Sequence, residues 1–315
     1  MQNWLSLADI NNLFYIAGFD VYRNTKRMIL PFNIPGLKNI LNNFLANLPF
    51  FRFFAINTYT FAKPQLLLSE EEYINKYSVS VIIPARNEMG NIENAILRMP
   101  KLGNHTEIIF IEGNSTDETW NKIQQISKKH FDTYDIKIAQ QTGKGKADAV
   151  RTGFEMATGD ILIILDADLT VSPEELPKFY DAIASGKGDF IIGSRLVYPM
   201  EKEAMRFLNV FANKFFSMLF TWLLEQPIKD TLCGTKVIFR KEYYRLAKNR
   251  NYFGNLDPFG DYDLIFGAHK LNHKIVEIPI RYKERTYGST NISRFKHGLI
   301  LLRMCGIAAR KIKFI

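Results

Sequence analysis

The stretch that decides the fold is Asp160-Ile161-Leu162-Ile163-Ile164-Leu165-Asp166-Ala167-Asp168-Leu169-Thr170. From Ile161 to Leu165 every residue is branched and apolar, the pattern of a strand covered on both faces in the middle of a parallel sheet. The run stops at Asp166. Alternate side chains of a strand share a face, so Asp166 and Asp168 are expected to point together at the carboxyl end of the strand. That end is where open α/β sheets bind ligands. Two carboxylates this close repel each other unless a cation lies between them. Hard divalent ions such as Mg²⁺ take oxygen ligands of this type, often one or two carboxylates plus substrate phosphates. The pair therefore reads as a metal–diphosphate site, with a solvated turn after a core strand as the alternative.

Outward from this strand the pattern alternates. Val79 to Pro84, Ile108 to Ile111, Tyr134 to Ala139 and Phe190 to Ile192 read as further strands. Asn91 to Met99, a segment starting at Thr116, and Gly145 to Met156 read as helices between them. Pro173 suits a first helical position, with Ser172 as its cap and Glu174 and Glu175 in the first turn. Strands alternating with helices predict a mostly parallel sheet with right-handed crossovers, flanked by helices. Further on, Met205 to Leu224 predicts a long amphipathic helix with a wide apolar face. Thr235 to Phe239 and Ile275 to Ile280 are strand candidates.

The flanks differ from this centre. Residues 1–65 are rich in Phe, Leu and Asn and carry Pro31, Pro35, Pro49 and Pro64. They read as an N-terminal helical appendage that resembles the tail of a methyltransferase-like domain without its glycine-rich cofactor loop. Leu37 to Leu48 shows helical spacing and Phe53 to Ala62 strand character, and residues 66–77 read as a linker. Residues 285–315 hold seven Lys or Arg and no acidic residue. There Lys296, Arg303 and Arg310 recur every seven positions, so a basic amphipathic helix is expected, of the kind that binds an anionic membrane surface. A solvated cationic face is the alternative.

The whole chain has 315 residues, 47% of them apolar, and a net charge of +9. That balance favours anionic partners such as phosphorylated substrates or acidic lipids. No aromatic–basic interleaving suggests nucleic acid. Cys233 and Cys305 offer no disulfide framework, which fits a reducing compartment. With no basic and then apolar leader and no run of about 20 uninterrupted apolar residues, the expectation is a cytoplasmic protein, peripheral on the inner face of the membrane.

Five loops are expected at the carboxyl ends of the strands. Pro84-Ala85-Arg86-Asn87-Glu88 follows the first strand. Glu112-Gly113-Asn114-Ser115-Thr116-Asp117 follows the second, where an acidic residue accepts hydrogen bonds from a base or ribose. Gly143-Lys144-Gly145-Lys146 precedes a helix, and glycines there let backbone amides approach a phosphate while the lysines add charge. It lacks the Walker A spacing, and no Gly-x-Gly-x-x-Gly is present, so a dinucleotide enzyme is disfavoured. Asp166–Asp168 is the fourth loop and Gly193-Ser194-Arg195 the fifth.

This order of motifs resembles family 2 glycosyltransferases, and within them the dolichyl- or polyprenyl-phosphate sugar transferase branch, over residues 78 to 300. The resemblance implies a GT-A-type, Rossmann-like α/β domain over residues 78–284, a Mg²⁺ or Mn²⁺ ion, and inverting transfer from a UDP- or GDP-linked sugar to a lipid phosphate or a glycan hydroxyl, in cell-envelope or polysaccharide synthesis. It further implies a nucleotide-sugar pocket of Pro84, Ala85, Arg86, Glu88, Glu112, Gly143, Lys144, Lys146 and Asp166. Metal would lie on Asp166 and Asp168. Arg195 would sit at the sugar or acceptor side. Asp230-Thr231-Leu232-Cys233-Gly234-Thr235-Lys236 is similar to the branch's Asp-x-Thr-Ser-Gly-Phe-Arg/Lys stretch, which makes Lys236 a phosphate ligand. Gly260-Asp261-Tyr262-Asp263 is similar to the Glu-Asp loop of many members, so Asp261 is the implied base, with Asp263 beside it.

The chain departs from the family pattern at four places. Glu112 replaces Asp, Gly260 stands where Glu is usual, and Asn291 and Phe295 replace the Gln and Trp of processive synthases. Those enzymes also carry a long multi-helix membrane region that this sequence lacks, which argues against polymerisation. A nucleotidyltransferase, and a non-catalytic protein docking on membranes through residues 285–315, are the readings from other classes.

Overall fold

The computed structural model describes residues 5–66, 68–195, 207–252, 260–285, 287–288 and 294–314. Strands β1 (Phe19–Arg27) and β2 (Asn57–Pro64) form an antiparallel hairpin of their own. The remaining strands build one seven-stranded sheet: β3 (Ser78–Ala85), β4 (His105–Glu112), β5 (Asp135–Gln140), β6 (Ile161–Ile164), β7 (Phe190–Ser194), β8 (Lys236–Phe239) and β9 (Ile275–Pro279). Their order is β5-β4-β3-β6-β8-β7-β9. β5, β4, β3 and β6 run parallel in register, with Val81 level with Ile108 on one side and Ile163 on the other. β8 is antiparallel to both β6 and β7, and β9 is parallel to β7.

The strand side chains divide between two cores with the two-residue period of the pleat. Val81, Ile83, Ile108, Phe110, Ile163 and Leu165 face one layer, where Ile92, Ile96, Ile123, Leu176 and Phe179 meet them from helices. Ile82, Ile109, Leu162, Ile164 and Phe190 face the other, packed on Phe154, Phe220, Phe266, Leu301 and Met304. Both faces of β6 are fully buried, as its unbroken apolar run requires. The helix Lys146–Met156 lies behind the site, and the long helices Phe207–Leu224 and Arg294–Ile312 close the second layer. None of the helices among the described residues is long and apolar enough to cross a membrane.

Four expectations are corrected here. The N-terminal segment is only partly helical. Its β1 escaped notice because it buries polar residues: Arg23 donates 2.7 Å to Asn272 and lies 3.3 Å from His269, while Thr25 donates to Glu225. The regular helix expected over Leu37 to Leu48 is instead one contiguous helical stretch whose pattern changes from α (Leu37–Asn39) through π (Ile40–Phe44) to 3-10 (Leu45–Asn47), and Asn42 in its middle accepts from the amides of Ile29 and Leu30 and donates to the Leu30 carbonyl. Ser172 caps by backbone geometry only, its hydroxyl buried without a partner. The basic block 285–315 is split. Arg303 and Arg310 are exposed, whereas Lys313 is buried 2.5 Å from Glu225 and Arg285 belongs to the site described next.

Candidate active site

The parallel strands deliver their loops to one edge. After β3, Asn87 adopts a left-handed backbone with φ 55°. Its side chain accepts the Thr116 amide at 2.8 Å, and its own amide donates 3.0 Å to Ser115. The loops after β3 and β4 are thereby sewn together. Glu112 at the end of β4 is buried, yet it accepts from the Ser115 amide at 2.5 Å and from Gln140 at 2.9 Å. Burial raises its proton affinity, but those bonds outweigh burial and hold the carboxyl below its ordinary range. Asn114 reaches the Gly143 carbonyl at 3.3 Å, which ties in the glycine–lysine loop. The Gly143 amide donates 2.9 Å to Asp148, and a Cβ at Gly143 would stand 2.5 Å from that carboxylate and displace it.

At the carboxyl end of β6, Asp166 meets Lys146 at 2.6 Å. Burial raises its proton affinity, but Lys146, Lys236 and Arg285 together pull the carboxyl below its ordinary range. Leu169 turns the chain through φ 52°. Asp168 caps that turn with one oxygen, accepting the Thr170 amide and hydroxyl at 3.1 and 2.8 Å. Its other oxygen accepts from Arg285 at 2.6 Å, and Arg285 also donates 2.9 Å to Glu88. Glu88 is pushed up to about 7: burial dominates, Asp168 and Asp117 add to it, and Arg285 and Asn91 oppose it. Lys236 is buried and donates 2.6 Å to the Cys233 carbonyl. Just before it, a Cβ on Gly234 would lie 2.0 Å from Asp166 and 2.6 Å from Lys146. A side chain at this position must therefore push aside the Asp166 carboxylate or the Lys146 ammonium group.

The site thus gathers Glu88, Lys146, Asp166, Asp168 and Lys236, with Pro84, Ala85 and Glu112 at the ends of β3 and β4 and Gly143 on the adjoining loop. Arg86 and Lys144 are exposed at the rim. Arg195 is engaged elsewhere. It binds Asp230 bidentately at 2.7 and 2.8 Å and lies 5.1 Å over Tyr282. That pair locks the end of β7 to the loop carrying Gly234. Asp263 is 2.9 Å from Arg151 and 3.9 Å from Arg250, in a cleft of about 140 Å³. Gly260, just before the helix Asp261–Lys270, takes φ 73°, and a Cβ there would stand 2.9 Å from the Ala147 backbone. A glutamate is sterically disfavoured at that position. The side chain of Asp261, Asn291 and the side chain of Phe295 lie outside the described residues.

Sequence reading missed Arg285 and Gly234. Arg285 was grouped with the basic C-terminal block; its signal was the adjacent Tyr287-Gly288. Tyr287 lies over Gly90 and donates 3.4 Å to Asp117, and Gly288 turns at φ 77°. Asp166 and Asp168 are half-buried carboxylates, oxygen donors of the chemical kind that Mg²⁺ or Mn²⁺ takes. Among the described residues no group of three or more His, Cys, Asp or Glu is placed to hold a metal ion. The remaining ligands would come from phosphates and water, as is usual for Mg²⁺.

A mostly parallel sheet with an Asp-x-Asp at the mouth of its central strand is the architecture of a glycosyltransferase of the GT-A fold. Residues 80–247 match the family described as Glycosyl transferase family 2, and the chain belongs to that family of enzymes. It is 32% identical over 248 residues to a dolichol-phosphate mannosyltransferase of Pyrococcus furiosus, covering 75% of this chain and 67% of that one. It is also 32% identical over 226 residues to an undecaprenyl-phosphate 4-deoxy-4-formamido-L-arabinose transferase of Pectobacterium carotovorum, covering 70% and 64%. The dolichol-phosphate mannosyltransferase of Saccharomyces cerevisiae matches at 32% over 37% of this chain and 44% of its own. The chain therefore spans between less than half and about two thirds of the curated relatives it matches. Among solved structures, glucosyl-3-phosphoglycerate synthase of Mycobacterium tuberculosis, crystallised with Mn²⁺, UDP and glucosyl-3-phosphoglycerate, superposes with a TM-score of 0.54 at 15% identity. The match covers 78% of this chain and 85% of that one and shows the shared GT-A fold.

Proposed function

We propose that this enzyme transfers a sugar, with inversion, from a UDP- or GDP-linked donor to a polyprenyl phosphate at a membrane surface. The observation that carries the reading is the alternation of charge at the mouth of β6. Two half-buried carboxylates, Asp166 and Asp168, are each held by a cation, Lys146 and Arg285, with buried Lys236 beside them. Such a set accepts both halves of a metal–diphosphate: carboxylates for the cation, cationic side chains for the phosphate oxygens. Support for the acceptor comes from the two relatives named for dolichol- and undecaprenyl-phosphate.

Asp166 and Asp168 would hold Mg²⁺ or Mn²⁺, which supplies charge neutralisation for the leaving diphosphate. Lys146, Lys236 and Arg285 bind the diphosphate, with Lys144 at the rim. Pro84, Ala85, Arg86, Glu88 and Glu112 frame the nucleoside. Arg195 holds the Gly234 loop through Asp230, and Asp263 holds the helix Asp261–Lys270 through Arg151. An acceptor phosphate is already anionic and needs no base. Asp261 then orients the acceptor instead of deprotonating it, and Asp261→Asn is expected to leave most transfer to a phosphate intact while nearly abolishing transfer to a hydroxyl. A role in cell-envelope polysaccharide synthesis follows from the lipid-linked product.

The test is to incubate the purified chain with a panel of UDP- and GDP-sugars and a short polyprenyl phosphate, with Mn²⁺, Mg²⁺ or EDTA. The expected outcome is a glycosylated lipid and a free nucleoside diphosphate, both lost in EDTA. Release of pyrophosphate instead would mark nucleotidyl transfer and overturn the proposal.

A further inference from the structure

We propose that the aromatic turn around Phe50, Phe53 and Phe54, between β1 and β2, is a membrane-insertion surface that seats the enzyme on an anionic bilayer. The segment has its amphipathic sense reversed relative to water. Asn47 is 3% exposed, while Phe50 and Phe53 are 74% and 81% exposed, and Phe32, Ile40 and Phe44 are also open. Scattered exposed apolar residues are ordinary, but a contiguous set is not. Contiguity is direct here: the Phe50, Phe51, Phe53 and Phe54 rings contact one another at 5.5 to 6.1 Å.

The polar side of the segment fastens it to the enzyme. Asn47 accepts from Arg27, and its carbonyl accepts the Trp222 indole N–H at 2.8 Å. Arg52 pairs with Glu225 at 3.0 Å, and Phe44 stacks 5.2 Å from Phe314, just past the helix Arg294–Ile312. With Asn47 and Arg52 turned inward and paired, the phenylalanines between and beyond them are left for another apolar phase. A bilayer is the occupant the chemistry selects. Residues 21–69 contain not one Asp or Glu, so nothing in the segment repels an anionic headgroup, and of its basic residues Lys38 is exposed. Aromatic side chains at the depth of the headgroups are the usual anchors of interfacial proteins. The C-terminal helix also leaves Leu299 and Arg303 exposed, an apolar and a basic group of the same kind. The surface deepens the lipid-acceptor reading and rests on it only for the identity of the lipid.

The experiment is co-flotation of the full chain with vesicles of phosphatidylcholine, alone or mixed with phosphatidylglycerol. Wild type is compared with Phe50→Ser/Phe53→Ser/Phe54→Ser and with Arg303→Glu/Arg310→Glu. Because the three phenylalanines are exposed, an unchanged melting temperature is expected and checks folding. The triple variant is expected to bind about a hundredfold more weakly at any salt concentration. The charge variant is expected to lose binding mainly at low salt. Wild-type affinity in the triple variant, no vesicle binding by wild type, or a dimer that the triple variant converts to monomer would each overturn the proposal. Transfer to a short, water-soluble polyprenyl phosphate separates the two readings. If wild type floats and the triple variant does not, yet neither transfers sugar, the docking surface stands and the acceptor assignment falls.

Discussion

Gly234 sets the tolerance of the catalytic edge at the scale of single residues. A methyl group there must displace Asp166 or Lys146, since its carbon would sit 2.0 Å from the carboxylate. Misplacing a ligand by about 1 Å costs on the order of a hundredfold in rate, so Gly234→Ala is expected to lower kcat about a hundredfold with little change in melting temperature. Arg285 is the second such residue, since it joins Glu88 to Asp168. Arg285→Ala is expected to weaken nucleotide-sugar binding about tenfold or more, read by calorimetry. Glu88 gives a pH signature. Its folded-state value of about 7 lies above its ordinary 4.5, so the folded protein holds a proton that the unfolded chain has released. The stability this contributes is complete below 4.5 and is lost as pH rises through 7. Glu88→Gln is therefore expected to gain on wild type by about 1–3 kcal/mol across that window in thermal melts. Equal slopes for the two proteins would contradict the assignment.

Among elements, the buried Glu225 acts as the joint. It accepts from Thr25 of β1, pairs with Arg52 of the aromatic segment, and pairs with Lys313 after the helix Arg294–Ile312. Removing one partner of a buried charge cluster costs about 3–5 kcal/mol. Glu225→Ala is expected to lower stability by that order and to expose the N-terminal hairpin to hydrogen exchange before the sheet opens. Parallel strands β3 to β6 were legible in sequence because apolar runs between loops announce themselves. β1 was not, because a strand whose inner face is Arg23 and Thr25 has no apolar alternation to read. Nor does sequence reveal that β8 runs antiparallel, since a four-residue buried strand reads the same in either direction. The acidic pair was legible by its spacing after an apolar run and Lys146 by its glycine–lysine loop, whereas Lys236 was legible only through the family resemblance. Arg285 reaches them across 117 residues from Asp168, a distance no local pattern encodes.

For the whole molecule, the sheet presents a charged edge while the N-terminal hairpin and its aromatic turn dock on the second helical layer through Trp222, Glu225 and His269. A charged sheet edge and an apolar surface on one chain suit the proposed reaction, in which the donor is dissolved and the acceptor is embedded in lipid. All of this depends on the acidic pair acting as half of a cation–diphosphate clamp. The direct measurement is calorimetric titration of UDP and of GDP into wild type and Asp168→Asn, with Mn²⁺ and with EDTA. The account predicts tight binding of one nucleotide by wild type only when Mn²⁺ is present, and weak binding by Asp168→Asn in either condition. Equal affinity with Mn²⁺ and EDTA, unchanged in Asp168→Asn, would contradict it.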